Sequence, residues 1–491
     1  MTTASDRRLL QVLGDWMKHS GPLYARLATA FTLAIEQLDL PPGTKLPAER
    51  NLAALLAVSR ATVTQAYETL RDGGWVQSRQ GSGTWVGSTA QSRSQLVPAG
   101  PRPLTSGSFY HRLVDSSPQS PINLAMAALS DTEEIFREDL AFHLEDMLAA
   151  PNHGYAPLGY QPLRQMIAGL FQEEGAPTLP EEIIVTSGAQ QAISLLACHY
   201  LQRGDAVVVE SPTYAGAIDA FSRAGARLIP VPVGPSGIRI DLLTETLYSA
   251  KPRLVYLMPT YQNPTGAVMP DDARREIARL ADQSQVPFAE DNTLADISLG
   301  GHEPPPPLAH YAQGGTVISI GSMSKLYWAG LRVGWIRAPE SLITRLGQHK
   351  AAADLGSSLV SQAIACRLLP DQKAVRARRG ETLRLRLDAL ERLLGERLPE
   401  WRWRRPEGGL SLWVRIPTSD AHAFAEQALR HGVALNAGTS LTPDDLHQDH
   451  IRLNFVVPEE LLEAAVDRLA VAWKAHRSAG GPQLEAVEVK V

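Results

Sequence analysis

At 491 residues the chain exceeds one compact domain and suggests two to four units with ample material for buried cores. Hydrophobic residues at 44% and charged residues at 20% are ordinary globular values, and the lack of any apolar run near ~20 residues excludes a membrane span. Two cysteines, Cys198 and Cys366, exclude a disulfide framework, and the net charge of −5 is uneven, since residues 1–90 carry nine Lys/Arg against seven Asp/Glu.

The N-terminal "MTTASDRRLLQVLGDWMKHS" has no apolar core followed by a small-residue cleavage site, and a reducing cytoplasm is expected. Helical periodicity runs through "PLYARLATAFTLAIEQL" (22–38). "PAERNLAALLA" (47–57) reads as a second helix, with Pro near its start. "SRATVTQAYETLRDGG" (59–74) reads as a third, capped by Ser59 and closed by glycines. Only a tight turn at Ala57–Val58 separates the last two, which gives helix-turn-helix proportions. The start of the third helix offers Arg60 and the short polar Thr62 and Thr64 to base edges. "GWVQSRQGSGTWVG" then alternates like a hairpin, with Gly81 and Gly83 at its turn and Arg79 and Gln80 just before it.

Residues 46–86 resemble, almost position by position, the winged-helix signature of the GntR family of bacterial regulators. The resemblance implies that Arg50, Ser59, Arg60 and Thr64 reach phosphates and bases, and that the wing around Gly81 enters the minor groove. Arg60 suits a bidentate guanine contact, whereas Arg50 and Arg79 suit phosphates. The family often has a third basic residue where this chain has Thr64.

Residues 88–120 are rich in Ser, Pro, Gln and Gly without apolar periodicity and read as a linker. Helical and strand signals then alternate. The strands at 183–188, 206–210, 227–233, 253–259, 287–291, 316–321 and 333–338 are mostly continuously apolar, as in a largely parallel sheet covered on both faces. From about 371 a long charged helix, short strands and a final helix over 459–476 describe a smaller α+β domain. The expected division is 15–87 winged helix-turn-helix, 88–120 linker, 121–370 large domain, 371–477 small domain and 478–491 tail.

"TVISIGSMSKLYWAGLRVGW" (316–335) places Lys325 just past a buried strand, where open α/β sheets hold ligands. A lysine there forms an imine with an aldehyde cofactor once burial and nearby cations lower its pKa, and Ser322, Ser324 and Arg332 are spaced to bind a phosphate. "TSGAQQAI" puts Ser187, Gly188, Ala189 and Gln190 at a strand-to-helix junction, whose backbone N–H groups suit phosphate too. Tyr214 offers a flat face for a pyridine ring, and Asn263 an amide for the cofactor's phenolic oxygen. Asp291 offers a carboxylate for the ring nitrogen, and Arg452 a guanidinium for an α-carboxylate. The cofactor these strings suit is pyridoxal 5′-phosphate. Their order over roughly 120–475 resembles fold-type I pyridoxal-phosphate aminotransferases, which adds Tyr155 as a contact to the other subunit's phosphate. One position departs: Leu294 stands where the aminotransferases usually have a tyrosine that donates to the phenolic oxygen.

A winged helix, a linker and an aminotransferase-like body together resemble the MocR subgroup of GntR regulators. That resemblance implies a homodimeric transcription factor on a repeated operator, sensing an amino-acid-like effector or the cofactor itself at Lys325. An amine would displace Lys325, the small domain carrying Arg452 would shift onto its carboxylate, and the body would reposition the DNA-binding heads. The rival is a working aminotransferase with an accessory DNA-binding module. A third reading makes the cofactor the signal in vitamin B6 regulation. His447 and His450, three apart before a strand, read as a polar loop, and no metal site is expected.

Overall fold

A computed structural model describes residues 12–13, 16, 22–36, 40, 44–56, 58–72, 75–79, 83–86, 121–129, 153–300, 303–444 and 446–478. The expected linker at 88–120, the wing residues Gln80 and Gly81, the tail from 479 and the side chain of Arg79 lie outside them. The chain divides into two compact units, Met1–Pro103 and Leu104–Val491.

In the first unit α1 (Leu23–Glu36), α2 (Glu49–Leu56) and α3 (Arg60–Asp72) precede an antiparallel hairpin of β1 (Val76–Arg79) and β2 (Gly83–Val86). Helical spacing brings Leu27, Phe31, Leu52, Val63, Ala66, Tyr67 and Leu70 into one core, with Phe31 and Tyr67 edge-to-face at 5.9 Å. Ser59 caps α3 by accepting from the Thr62 amide at 3.1 Å.

The second unit is built on an eight-stranded sheet in the order β4-β11-β10-β9-β8-β5-β6-β7. Its strands are β4 (Ile183–Thr186), β5 (Ala206–Ser211), β6 (Arg227–Gly234), β7 (Gly237–Ile238), β8 (Leu254–Leu257), β9 (Phe288–Asp291), β10 (Val317–Ser322) and β11 (Gly334–Arg337). The central pairings β6/β5, β5/β8, β8/β9 and β9/β10 are parallel, and β11 runs antiparallel between β10 and β4. The residues of β4, β5, β8, β9 and β10 are buried throughout, which explains the continuous apolar runs. β6 carries Pro230 and Pro232, is partly exposed, and lies next to the short edge strand β7.

Among the elements that position the site are α5 (Ala189–Tyr200), following α4 (Gln161–Glu173), and α10 (Glu340–Asp354). Between them come α6 (Ala215–Arg223), α7 (Ile240–Ala250), α8 (Asp271–Ser284) and α9 (Leu308–Tyr311). After α11 (Leu359–Leu368), the 26-residue α12 (Gln372–Arg397) leads to a four-stranded sheet ordered β12-β13-β16-β15. These strands are β12 (Arg402–Trp403), β13 (Ser411–Arg415), β15 (Asn436–Ala437) and β16 (His450–Asn454); β14 (Val433–Ala434) pairs instead with β3 (Ile122–Asn123). Helices α13 (Ala421–Arg430) and α14 (Glu459–Ser478) complete this part. No described helix is long and apolar enough to cross a membrane.

Candidate functional site

The strand ends decide what meets what. β4 runs into Ser187–Gly188, β5 into Tyr214, β8 into Asn263, β9 stops at Asp291, and β10 runs through Ser322 and Ser324 to Lys325. All five strands point the same way, so these residues share the carboxyl edge of the sheet.

Lys325 is partly buried and donates from Nζ to the Ala127 carbonyl at 2.7 Å. Burial and the positive charges of Arg452 and Arg332 push its amine down to about 8, against the opposing pull of Asp291. A lysine so placed holds a far larger neutral fraction near neutrality than an exposed one. Asp291 is buried, accepts from Tyr256 Oη at 2.6 Å and from the Thr293 amide at 2.9 Å, and is thereby fixed in orientation. Tyr256 is a participant that motif reading missed. β8 pairs with β9 so that Tyr256 lies opposite Ala289, which places it on the face that Asp291 shares. The signal lay in strand pairing, and in no motif. Leu294 is buried in the core near Gly409.

Around the opposite rim, Arg332 reaches Gly188. Gly188 has φ +87°, and a Cβ there would stand 3.0 Å from Arg332 Nη2, so glycine is required by both backbone and neighbour. Arg332 donates to the Ser187 carbonyl. Ser322 Oγ lies 3.0 Å from Ser324 Oγ and accepts from the Ser324 amide at 3.2 Å. Gly188 and Ala189 open the 12-residue α5, where the first N–H groups lack intrahelical partners. Gln190 donates to the Gly216 carbonyl at 2.8 Å, and its Oε1 is buried without a partner beside the Tyr214 ring. Burial, with Asp291 nearby, raises the Tyr214 hydroxyl to about 12.

A second tier holds this rim. Gln191 Oε1 accepts from the Ser187 amide at 2.8 Å and from Lys350 Nζ at 3.0 Å, while its Nε2 donates to Asp354 at 2.6 Å. Lys350 is fully buried and donates to both Asp354 oxygens, at 2.7 and 3.0 Å. Sequence reading named Gln190 and passed over Gln191, whose partners lie about 160 residues further along the chain.

From the four-stranded sheet, Arg452 donates to Asn263 Oδ1 at 3.0 Å, to the Ala125 carbonyl at 2.7 Å and to Asn436 Oδ1 at 3.1 Å. With its carbonyl engaged, Asn263 retains its NH₂ as a donor. Tyr155 is 61% exposed, and its ring packs on His153 at 5.6 Å rather than on the Lys325 group. His447 and His450 stand against Trp413, and no group of three metal-ligating side chains occurs among the described residues.

In the first unit Arg50, Ser59 and Arg60 are exposed, and Thr62 and Thr64 are partly so. Glu49, which sequence reading did not single out, gathers two of them. Its Oε2 accepts from Thr64 Oγ1 at 3.0 Å and from Arg60 Nη2 at 3.4 Å. With Arg60 71% exposed, this ion pair is weak and readily exchanged for a phosphate or base. Ser59 and Thr62 hydroxyls lie 2.8 Å apart. Lys45 sits 5.2 Å over the Trp85 ring of β2.

Known proteins divide along the same line. The profile of class I and II aminotransferases matches residues 138–469, and that of the bacterial regulatory proteins of the gntR family matches residues 23–86. The HTH-type transcriptional regulator YdfD of Bacillus subtilis is 31% identical over 453 residues, 88% of this chain and 92% of its own. Aromatic-amino-acid aminotransferase 1 of Thermococcus litoralis is 33% identical over 329 residues, 64% of this chain and 78% of its own. Among solved structures, LysN, the α-aminoadipate aminotransferase of Thermus thermophilus complexed with N-(5′-phosphopyridoxyl)-L-leucine, is similar at a TM-score of 0.70. It is 28% identical and covers 79% of this chain and 99% of its own.

Proposed function

Since the chain belongs to the MocR subgroup of GntR-family regulators, a GntR DNA-binding head with a class I and II aminotransferase body, we propose that ligands at Lys325 govern DNA binding by the head. The observation that carries this is Lys325 itself, a lysine lowered to about 8 by burial and two arginines, beside a buried carboxylate.

The residues present fit pyridoxal 5′-phosphate. Bare backbone at Gly188 lies against the Arg332 guanidinium at the start of α5, which gathers that cation and the first free N–H groups of the helix as donors for a phosphate. Ser322, Ser324, Arg332 and the Ser187–Gln190 turn would hold its phosphate, Tyr214 would cover its ring, and Asn263 would donate to its phenolic oxygen. Tyr155 would reach the phosphate of a second copy. When bound, the cofactor supplies an aldehyde carbon open to amines and a ring that draws electrons from it.

The chain's own contributions follow from its geometry. Asp291, pinned by Tyr256 and Thr293, would keep a proton on the ring nitrogen. Lys325 in its neutral form is the nucleophile, and the Ala127 carbonyl orients it. Arg452, carried by the part of the chain we assign to a mobile small domain at 371–477, would exchange its present acceptors for an effector's α-carboxylate. Its grip on Asn263 then changes together with effector binding. The working unit is a homodimer on a repeated operator, with Arg60 reading bases and Arg50 and Arg79 on phosphates, assisted by Ser59, Thr62, Thr64 and the wing at Gln80–Gly81.

Absorbance titration and DNA-affinity measurements on the same full-length sample test this reading. Amines that alter the cofactor's absorbance should also alter affinity. Turnover as an aminotransferase is the second reading, favoured by the presence of Lys325, Asp291 and Arg452 together. Against it, the relative that spans 88% of the chain is named a regulator, whereas the aminotransferase relative spans 64%. A keto-acid turnover assay separates the two.

A further inference from the structure

β13 and β16 pair with Trp413 opposite Arg452 and Arg415 opposite His450. Because side chains alternate, these four share one face of the sheet, while Leu412, Val414, Ile451 and Leu453 are buried on the other. At one end of that face Arg452 enters the Lys325 group. At the other end the face forms one wall of a separate cleft of about 430 Å³. The opposite wall comes from the loops around Pro212, Pro235 and Thr265, two of which continue directly into Tyr214 and Asn263. Nothing in the regulator reading uses this cleft, although its volume falls in the range of small-molecule sites.

Its chemistry is one-sided. Four arginines, at 402, 404, 405 and 415, line it against the single carboxylate of Glu407. Two of the four are already matched: Arg405 pairs with Asp388 at 2.5 Å and with Glu391, and Arg415 pairs with Asp449 at 2.7 Å. Arg402 and Arg404 instead donate to backbone carbonyls, Arg402 to Pro399 and Trp401 and Arg404 to Pro235 across the cleft at 3.3 Å. A guanidinium has five N–H donors, so each retains capacity for an anion. Aromatic surface stands beside them. Trp413 is stacked on His450 at 5.0 Å with planes 18° apart and flanked by His447, whereas Trp403, opposite Val414, turns to the core-facing side and donates from Nε1 to Glu391 at 2.9 Å.

We propose that this cleft is a second ligand site, taking a small aromatic anion whose charge meets Arg402 and Arg404 and whose ring lies along Trp413. Such a ligand bridges the four-stranded sheet to the loops that carry Tyr214 and Asn263. Occupancy therefore biases the position of Arg452 on the shared face, so the two sites are coupled in both directions. That coupling rests on the reading of Lys325 given above; binding in the cleft does not.

The test is calorimetric titration of the full chain with two probes of different anionic group, AMP for a phosphate and anthranilate for a carboxylate, each beside its uncharged counterpart, adenosine or aniline. At least one anion is expected to bind saturably with millimolar or better affinity, its uncharged counterpart to bind at least about tenfold more weakly. The double variant R402A/R404A should lose about tenfold or more of the anion's affinity, and K325A should retain it. The bound anion should then shift the affinity for pyridoxal phosphate. Failure of both anions to bind, equal binding of charged and uncharged partners, or undiminished binding in R402A/R404A overturns the site. Intact binding without any shift in cofactor affinity overturns the coupling alone. A chain that binds the anion yet takes up no pyridoxal phosphate contradicts the Lys325 reading and leaves the cleft standing.

Discussion

Replacing Gln191 by leucine tests how the phosphate rim is held. The amide bridges the Ser187 N–H, Lys350 and Asp354 at 2.8, 3.0 and 2.6 Å, and leucine of similar size removes all three bonds. Lys350 keeps both Asp354 oxygens, and Asp354, with 29% of its side chain exposed, can take water in place of the lost amide. What loses its acceptor is the Ser187 amide, while the Arg332 bond to the Ser187 carbonyl stays. One lost neutral hydrogen bond and part of a charge-assisted one come to about 1–2 kcal/mol. Transmitted to the phosphate, that weakens pyridoxal phosphate by roughly 5- to 30-fold. Pyridoxal, which lacks the phosphate, should lose less than about twofold on the same energetic scale. Absorbance titrations of wild type and Gln191→Leu with both compounds provide the comparison. Equal losses for the two would mean general damage to the fold, and unchanged pyridoxal phosphate affinity would mean the tier does not support the turn.

Other expectations follow from the same geometry. With Lys325 lowered from 10.5 to about 8, cofactor capture should accelerate as pH rises and level off above about 8, in stopped-flow absorbance; a rise continuing toward 10.5 would show an ordinary lysine. Burial raises the Glu210 carboxyl from 4.5 to about 8, against hydrogen bonds from Gln262 and the Met258 amide. The folded state therefore holds a proton that the unfolded chain releases, so stability falls as pH climbs through that window. Glu210→Gln should flatten this slope in denaturant melts, and an unchanged slope would remove Glu210 from its cause. Arg60→Ala should weaken specific DNA binding by ~1–3 kcal/mol while leaving stability within ~1 kcal/mol, because its pair with Glu49 is exposed. A large thermal destabilisation would place Arg60 in the fold instead.

Much of the body was legible because burial on both faces of a parallel sheet leaves uninterrupted apolar runs, as in "AVVVE" and "TVISIG". The order of short polar strings after those runs also pointed to the carboxyl edge. What stayed hidden depends on pairing across the sequence. Tyr256 meets Asp291 because two strands align in register, 35 residues apart. Ala127 reaches Lys325 from 198 positions upstream through its backbone carbonyl, which no side-chain pattern records. Glu49 is a first-turn acid of α2, and its meeting with Arg60 and Thr64 of α3 depends on how the two helices pack. The cleft at Trp413 joins segments from residues 212 to 450, and the basic stretch at 402–405 gains its facing wall only when they assemble.

The most direct measurement is the affinity of the full-length protein for DNA selected from a random library, in three states: without cofactor, with pyridoxal phosphate, and with pyridoxal phosphate plus an amine that changes its absorbance. A difference of at least ~1 kcal/mol, about fivefold, between two of these states, abolished in Lys325→Ala, is the predicted result. Identical affinities across all three, while the absorbance responds to the amine, would contradict the claim that the body governs the head.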